Sequence, residues 1–155
     1  MPRDDTRTKP NAEPEATARA SSTNEVVVDT TVIIAVITNE STKAKIIDAT
    51  LDATLVAPIS LDVEIGNAFS RMFKRERIDL ETAERALQAY LQIPIDIIDV
   101  DLLSAVRLSH ELNVYAYDAY VIDCAKSLGA PLISLDGGLL EACRRAEVEI
   151  IEVQE

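Results

Sequence analysis

Short apolar strand patterns alternate with helical patterns along most of this 155-residue chain. The unbroken run Val26, Val27 and Val28 is typical of a strand that is buried on both faces of a sheet. Parallel strands need helical crossovers, so the alternation predicts an α/β fold: a three-layer α/β/α sandwich with a mainly parallel central sheet. The predicted strands cover residues 26–28, 54–57, 95–100, 131–135 and 149–153.

Helices are expected between these strands. A short buried helix follows Asp29 and is bounded by Asn39, and another helix opens at Ser60. The remaining helices are predicted at residues 41–51 (with a Ser41 cap), 79–91 (with an Asp79 cap), 101–112, 117–129 (ending at Gly129) and 139–146. Apolar side chains of these helices are expected to face the core, among them Ile47, Leu51, Val63, Leu102, Leu103 and Val106.

The first 24 residues differ in composition from the rest of the chain. They contain no Val, Ile, Leu or Phe, mix charges of both signs and include three prolines. Such a segment cannot bury enough apolar surface to offset the entropy of ordering. Residues 1–24 are therefore expected to be a disordered extension of a single domain at residues 25–153.

The remaining composition is that of an ordinary globular protein, with 48% hydrophobic and 27% charged residues. No apolar stretch approaches the roughly 20 residues of a membrane helix, and the N-terminus lacks the apolar centre of a signal peptide. A cytoplasmic location away from membranes is expected. Cys124 and Cys143 have no metal-like spacing and are expected to be reduced and packed.

The net charge of −12 argues against nucleic-acid binding, because phosphate contacts come from Lys and Arg. The argument weakens if several acids face one another around bound cations, because bound metal neutralises carboxylates locally.

Four acidic residues occupy positions that a parallel sheet would bring together. Asp29 directly follows the first strand, and Asp136 directly follows the strand at 131–135. Asp118 begins a helix, and Glu64 lies in the first turns of the helix after the second strand. Because ligands of such sheets bind at the carboxyl ends of the strands, these acids are expected to converge at one edge.

Such a cluster predicts a particular chemistry. Carboxylates that approach closely repel one another unless a cation intervenes, and oxygen-only ligation suits Mg²⁺ or Mn²⁺. A site of this kind can activate water and stabilise in-line attack at phosphorus. The chain has one His and no GxxxxGK[ST] loop, which argues against a zinc or His-based hydrolase and against an ordinary nucleoside-triphosphate site.

Each acid also has a structural interpretation. Asp29 and Asp118 are suited to capping helices, and Asp136 to the turn Asp-Gly-Gly. Glu64 is harder to explain structurally, because its apolar neighbours indicate partial burial, where a lone charge is costly.

Three segments of the sequence resemble the PIN domain family, and within it the VapC-type toxins of prokaryotic toxin–antitoxin pairs. VVVDTTVIIAVI is similar to the family's first strand and acid, followed two residues later by a hydroxyl, here Thr31. ISLDVEIGNAFSR resembles the helix with the family's glutamate and a frequent Asn, here Asn67. YDAYVIDCAKSLGAPLISLDGGLLEAC is the most specific match, and the resemblance covers residues 25–153.

The resemblance implies an Mg²⁺- or Mn²⁺-dependent endoribonuclease that dimerises and is inhibited by a cognate antitoxin. It assigns metal binding and catalysis to Asp29, Glu64, Asp118 and Asp136. Thr31 and Ser134 are candidates for holding a carboxylate or a water, and Asn67 for orienting Glu64 or a phosphate.

The run from Arg71 to Arg77 is locally basic on an acidic chain. Its four cations are Arg71, Lys74, Arg75 and Arg77, against one acid. They are suited to contact the RNA backbone, although cations at a helix C-terminus also suit the helix dipole. Tyr115, Tyr117 and Tyr120 are suited either to base stacking or to packing between helices.

Other classes remain as alternatives. A phosphoacceptor receiver domain needs an acid pair after the first strand and a Lys late in the chain. A haloacid-dehalogenase-like phosphatase needs the motif Asp-x-Asp after that strand. The segment Asp29-Thr30-Thr31 provides neither the acid pair nor the motif. A non-toxin RNA-processing PIN nuclease and a catalytically inactive PIN-like protein-binding module stay open.

Overall fold

A computed structural model of the chain describes residues 24–154. Its strands are β1 (Glu25–Val28), β2 (Thr54–Pro58), β3 (Asp96–Ile98), β4 (Leu132–Ile133) and β5 (Ile150–Ile151). Its helices are α1 (Thr30–Ile37), α2 (Lys43–Thr50), α3 (Leu61–Lys74), α4 (Leu80–Leu91), α5 (Leu102–Leu112), α6 (Ala116–Leu128) and α7 (Gly137–Arg145). None of these helices is long and apolar enough to cross a membrane.

The strands form one parallel sheet in the order β3-β2-β1-β4-β5. On one side of β1, Val26 lies opposite Leu55 of β2; on the other, Val27 lies opposite Leu132 of β4. The chain builds outward from β1 through β2 to β3, and then returns to place β4 on the opposite side. The strand order therefore reverses between β1 and β4, where ligand sites of such sheets form.

Successive side chains of β1 enter two different cores, as the period-2 alternation of a strand requires. Val26 and Val28 pack against α1, α2, α3 and α4, whereas Val27 packs against α5, α6 and α7. The sheet is thus covered on both faces. The predicted three-layer α/β/α sandwich with a parallel sheet is confirmed.

Several predicted element ends are confirmed by their caps. The Asp79 carboxylate accepts a hydrogen bond from the Thr82 N–H at 2.7 Å and begins α4. Asp101 caps α5 in the same way, and Gly129 ends α6 in the left-handed conformation. Cys124 and Cys143 are buried free thiols, as expected.

The strands β3, β4 and β5 are shorter than predicted. Beyond Ile133, the backbone leaves the ladder because side chains take over its hydrogen bonds. The Leu135 N–H donates to the Thr31 hydroxyl at 3.0 Å, and the Asp136 N–H donates to the Ser134 hydroxyl at 2.9 Å. The end of β4 is therefore set by contacts with the chain that follows β1.

Two details of the predicted helices were wrong. α2 begins at Lys43 rather than Ser41, and its N-cap residue Thr42 makes no side-chain cap hydrogen bond. Six apolar side chains that were expected in the core are instead exposed: Ile47, Leu51, Val63, Leu102, Leu103 and Val106. α5 illustrates the reason: it packs chiefly on α6, and the narrow stripe of Ala105, Leu108 and Leu112 is enough to bury that contact.

The predicted disordered extension lies outside the described residues, apart from Asn24. The carbonyl of Asn24 accepts a hydrogen bond from the Thr54 N–H at 2.9 Å. Pairing of the β1 and β2 backbones therefore begins at this residue.

The left-handed conformation of Gly129 provides a test of the α6 C-cap. A Cβ at this position would meet nothing within 4 Å, so Gly129→Ala should lower the free energy of unfolding through backbone strain alone, by about 1 kcal/mol. Gly66, in the exposed middle of α3, also has open space around it. Gly66→Ala should raise stability by about 0.5–1 kcal/mol. Urea unfolding measures both, and destabilisation by both variants would contradict the C-cap explanation.

Candidate active site

A cleft of about 640 Å³ opens at the carboxyl ends of β1, β2 and β4, and it includes the point between β1 and β4 where the strand order reverses. Its walls come from the starts of α1, α3, α6 and α7, the helices that follow these strand ends or face them. All four acids selected from the sequence line it: Asp29, Glu64, Asp118 and Asp136.

Asp29 is the most deeply buried of these acids, with 8% of its surface exposed. It is the N-cap of α1, and its Oδ1 accepts hydrogen bonds from the Val32 N–H at 3.3 Å and the Thr31 hydroxyl at 2.7 Å. Its Oδ2 accepts from the Ser134 hydroxyl at 2.7 Å. The capping interpretation of Asp29 is therefore correct, and the same carboxylate also lines the cleft.

The Thr31 and Ser134 hydroxyls connect the ends of β1 and β4. Each hydroxyl donates to Asp29, while Thr31 accepts from the Leu135 N–H and Ser134 accepts from the Asp136 N–H. Ser134 is nearly completely buried. These bonds hold Asp29 and the backbone of Asp136 in fixed relative positions, although they lie far apart in the sequence.

Asp136 also caps a helix, because its Oδ1 accepts from the Gly138 and Leu139 N–H groups at 2.9 and 3.2 Å. Gly138 permits this geometry, since a Cβ there would lie 3.2 Å from Oδ1. Within residues 24–154, the other oxygen of Asp136 accepts no hydrogen bond, which leaves it available in the cleft.

Glu64 and Asp118 are half-buried and enter the cleft from α3 and α6. Oε2 of Glu64 accepts from the Ser60 hydroxyl at 2.9 Å. Asp118 lies in the first turn of α6, but the N-cap of that helix is Tyr115. The capping interpretation of Asp118 is therefore wrong.

The cleft penalises the ionised forms of Asp29, Glu64 and Asp118. Burial raises the pKa of Asp29 from 3.8 to about 6, even though three hydrogen bonds oppose the rise, and nearby Asp136 raises it further. Burial likewise raises the pKa of Glu64, with additional repulsion from Asp29 and Asp118. The pKa of Asp118 is raised by burial and then by Asp136.

The repulsions form a closed ring, because each of the four acids repels two of the others. The ring consists of Asp29, Glu64, Asp118 and Asp136. Within the part of the chain that the structure describes, no three His, Cys, Asp or Glu side chains approach closely enough to form a ready metal-ligand set. Carboxylates that repel one another can gather more closely when a cation neutralises them. The donors are all oxygen atoms, a set that fits Mg²⁺ or Mn²⁺.

The other predicted site residues are divided between the cleft and the surface. Asn67 and Arg71 lie three and seven residues after Glu64, so all three share one face of α3 and line the cleft. Lys74 and Arg75 are exposed at the end of the helix, and Arg77 lines a separate groove between α1 and α4. Of this basic run, the structure brings Arg71 to the acids.

Two hydroxyls were missed as site residues: Ser60, which contacts the cleft residue Glu64, and Thr30, which lines the cleft. Ser60 was expected to open α3, but its hydroxyl makes no cap bond and instead binds Glu64. Its position four residues before Glu64 was the available signal. The Thr30 hydroxyl is buried in the cleft wall, near enough to Glu64 to oppose the rise in the pKa of that carboxyl. No pattern in the sequence distinguishes it from neighbouring Thr31.

Comparisons with known proteins agree with this fold. The PIN domain family model matches residues 26–145. The fold is similar to PAE2754 from Pyrobaculum aerophilum, with a TM-score of 0.65 and 23% identity over 82% of this chain and 83% of that chain. It is also similar to a chain of VapBC2 from Rickettsia felis, bound in its crystal to a promoter DNA fragment, with a TM-score of 0.59 and 15% identity over 82% of this chain and 97% of that chain. None of the curated proteins matches the chain. At these identities the two structures support the fold, and the family match confirms the predicted resemblance.

The raised pKa of Asp29 predicts a pH-dependent stability of the metal-free protein. Protonated Asp29 is favoured in the folded chain, so its contribution is complete below pH 3.8 and is lost as the pH rises through about 6. At neutral pH the loss amounts to roughly 3 kcal/mol. Asp29→Asn should therefore stabilise the chelator-treated protein at pH 7.5 and have little effect near pH 4, as measured by urea unfolding.

Asp48→Asn provides the matched control, because it removes the same charge from the exposed face of α2. A difference between Asp29→Asn and wild type that stays constant from pH 4 to pH 7.5 would contradict the assignment of the shift to Asp29.

Proposed function

The chain belongs to the PIN domain family, and on this basis we propose that it is a metal-dependent endoribonuclease that hydrolyses RNA phosphodiester bonds. The observation that carries the proposal is the ring of four mutually repelling acids in one cleft. Burial and repulsion both act against the ionised forms of Asp29, Glu64 and Asp118, as expected of a site built for a cation rather than for stability.

Asp29, Glu64, Asp118 and Asp136 are the residues that would hold Mg²⁺ or Mn²⁺. The bound ion would supply activation of water and charge stabilisation at the phosphate. The fit rests on the oxygen-only donor set and on the ring of repulsions, which a divalent cation relieves.

The protein's own part is mainly positioning. Thr31 and Ser134 hold both oxygens of Asp29 in one orientation, so this carboxylate has little freedom to turn away. Ser60 holds one oxygen of Glu64. Arg71 is exposed on the same face of α3 as Glu64 and would contact a phosphate of the substrate. Asn67 lies between Glu64 and Arg71 on this face.

A toxin of a type II toxin–antitoxin pair is the biological role that we favour. Support comes from the likeness to the VapBC2 structure, which covers 97% of that chain. A cognate antitoxin, a homodimeric state and a cytoplasmic location belong to this proposal. A non-toxin RNA-processing nuclease and an inactive protein-binding module are the alternatives.

Asp118→Asn tests the catalytic proposal. The substitution keeps the size of the side chain and removes one charge of the ring, so Mg²⁺-dependent cleavage of single-stranded RNA should fall by at least about 100-fold. Gel-based cleavage assays measure the rate, and calorimetric titration with Mg²⁺ should show weaker binding in the variant.

Asp123→Asn is the matched control on the same helix. Asp123 accepts a hydrogen bond from Ser104 of α5 and lies outside the acidic cleft, so this variant should retain cleavage. Equal rates for wild type and Asp118→Asn would refute the proposed site. Mg²⁺ binding by the wild type without any cleavage would favour the inactive module.

The toxin role has a separate test. Expression of the wild-type chain in a bacterial host should arrest growth, and Asp118→Asn should abolish the arrest. Co-expression of a short neighbouring reading frame should restore growth if that frame encodes the antitoxin. RNA cleavage in vitro without growth arrest would instead favour the RNA-processing alternative.

A further inference from the structure

Two tyrosine rings lie in solvent at the wall of the acidic cleft. Tyr115 has 86% of its surface exposed and Tyr117 has 51%, and both line the same cleft as Asp118. They are the two most exposed aromatic residues among residues 24–154. Fold stability does not account for rings that bury so little area.

The two most exposed aromatic rings lie together at the cleft. The chain has four Tyr, two Phe and no Trp. Elsewhere, Tyr90 and Phe69 are core residues, whereas Phe73 of α3 is 40% exposed and lies outside the cleft. An aromatic-poor chain that presents its two most exposed rings beside its acidic site indicates a binding role for them.

The backbone and a neighbouring ring hold these tyrosines in place. Tyr115 is the N-cap of α6, and its carbonyl accepts a hydrogen bond from the Ala119 N–H at 3.1 Å. Tyr117 packs edge-to-face on half-buried Tyr120, with ring centroids 6.1 Å apart and an interplanar angle of 86°. The Tyr117 ring is therefore held by a neighbouring ring, and it loses little entropy when a ligand stacks on it, which favours binding.

The charge of the cleft requires a source of affinity other than phosphate attraction. Among the described residues, Arg71 is the single cation that lines the cleft, whereas five acids line it: Asp29, Glu40, Glu64, Asp118 and Asp136. Metal would neutralise part of this charge. One arginine still gives few of the phosphate contacts on which nucleic-acid binding usually depends.

From these observations, and resting on the proposed nuclease function, we propose that Tyr115 and Tyr117 form a base-stacking platform that selects single-stranded RNA. Bases on a single strand can be splayed onto an aromatic face, whereas bases of a duplex are already stacked within the helix. Stacking supplies affinity that does not depend on protein charge. Arg71 holds a phosphate of the same strand.

The test compares two fluorescein-labelled octanucleotides: a single-stranded oligoribonucleotide and a strand of the same length with abasic sites. Both retain the phosphates, so their difference isolates the bases. Fluorescence anisotropy is measured with Ca²⁺ in place of Mg²⁺, because Ca²⁺ brings the same charge with less strict geometry. The wild type should bind the base-containing strand at least about tenfold more tightly.

The double variant Tyr115→Ala/Tyr117→Ala should abolish this preference, whereas Tyr115→Phe/Tyr117→Phe should retain it because the aromatic faces remain. Leu91→Ala removes a similarly exposed apolar side chain from α4, outside the cleft, and should have no effect. Since the chain has no Trp, quenching of tyrosine fluorescence by the bound strand gives a second readout.

Salt dependence gives an independent readout of the same proposal. With one phosphate contact, the slope of log affinity against log salt should be about −0.7, which is shallow for an RNA-binding protein. The same oligoribonucleotide annealed to its complement serves as the duplex probe. An unchanged preference of the double alanine variant for the base-containing strand over the abasic strand, tighter binding of the duplex, or a salt slope that indicates several phosphate contacts would each overturn the stacking platform.

These outcomes are separable from failure of the nuclease proposal. Wild-type protein that cleaves RNA while the alanine variant keeps its preference for bases would overturn the stacking platform alone. Wild-type protein that neither cleaves nor binds RNA would overturn the nuclease proposal and the stacking platform together.

Discussion

The candidate site depends on the hydrogen bonds that join the end of β1 to the end of β4 through Asp29. Thr31 and Ser134 each donate to the carboxylate and each accept from the backbone that follows β4. These bonds end the β4 ladder and join the two strands between which the strand order reverses. They also place Asp136 at the start of α7. A neutral network of two hydroxyls thus determines where two of the four acids lie.

The same hydrogen bonds hold the Asp29 carboxylate in a buried position, where its negative charge is unfavourable. Three hydrogen bonds reach Asp29, yet burial still raises its pKa to about 6. Glu64 and Asp118 are also shifted upward by burial, and repulsion among the acids adds to the effect. Local destabilisation of this kind is tolerated at functional sites, where ligand binding recovers the loss. The acids of the cleft also contribute part of the net charge of −12.

Local patterns were sufficient to predict most of the fold. The unbroken run from Val26 to Val28 predicted a strand buried on both faces, and the caps Asp79, Asp101 and Gly129 mark real helix ends. Sequence patterns failed where contact with a neighbouring element decides which apolar side chains are buried. An apolar stripe shows which side chains are able to face a core, but the width of the contact decides how many do, so Leu102 and Leu103 remain exposed.

By itself, the sequence determined that acids would follow strands or begin helices, since Asp29 and Asp136 stand at the ends of apolar runs. Tertiary structure decided that β4 pairs with β1, which brings Asp136 beside Asp29 across more than 100 residues of chain. It also decided that Ser60 binds Glu64 and that Arg71 reaches the cleft whereas Arg77 does not. Strand order and side-chain partners depend on contacts between distant segments, and local residue patterns carry no information about such contacts.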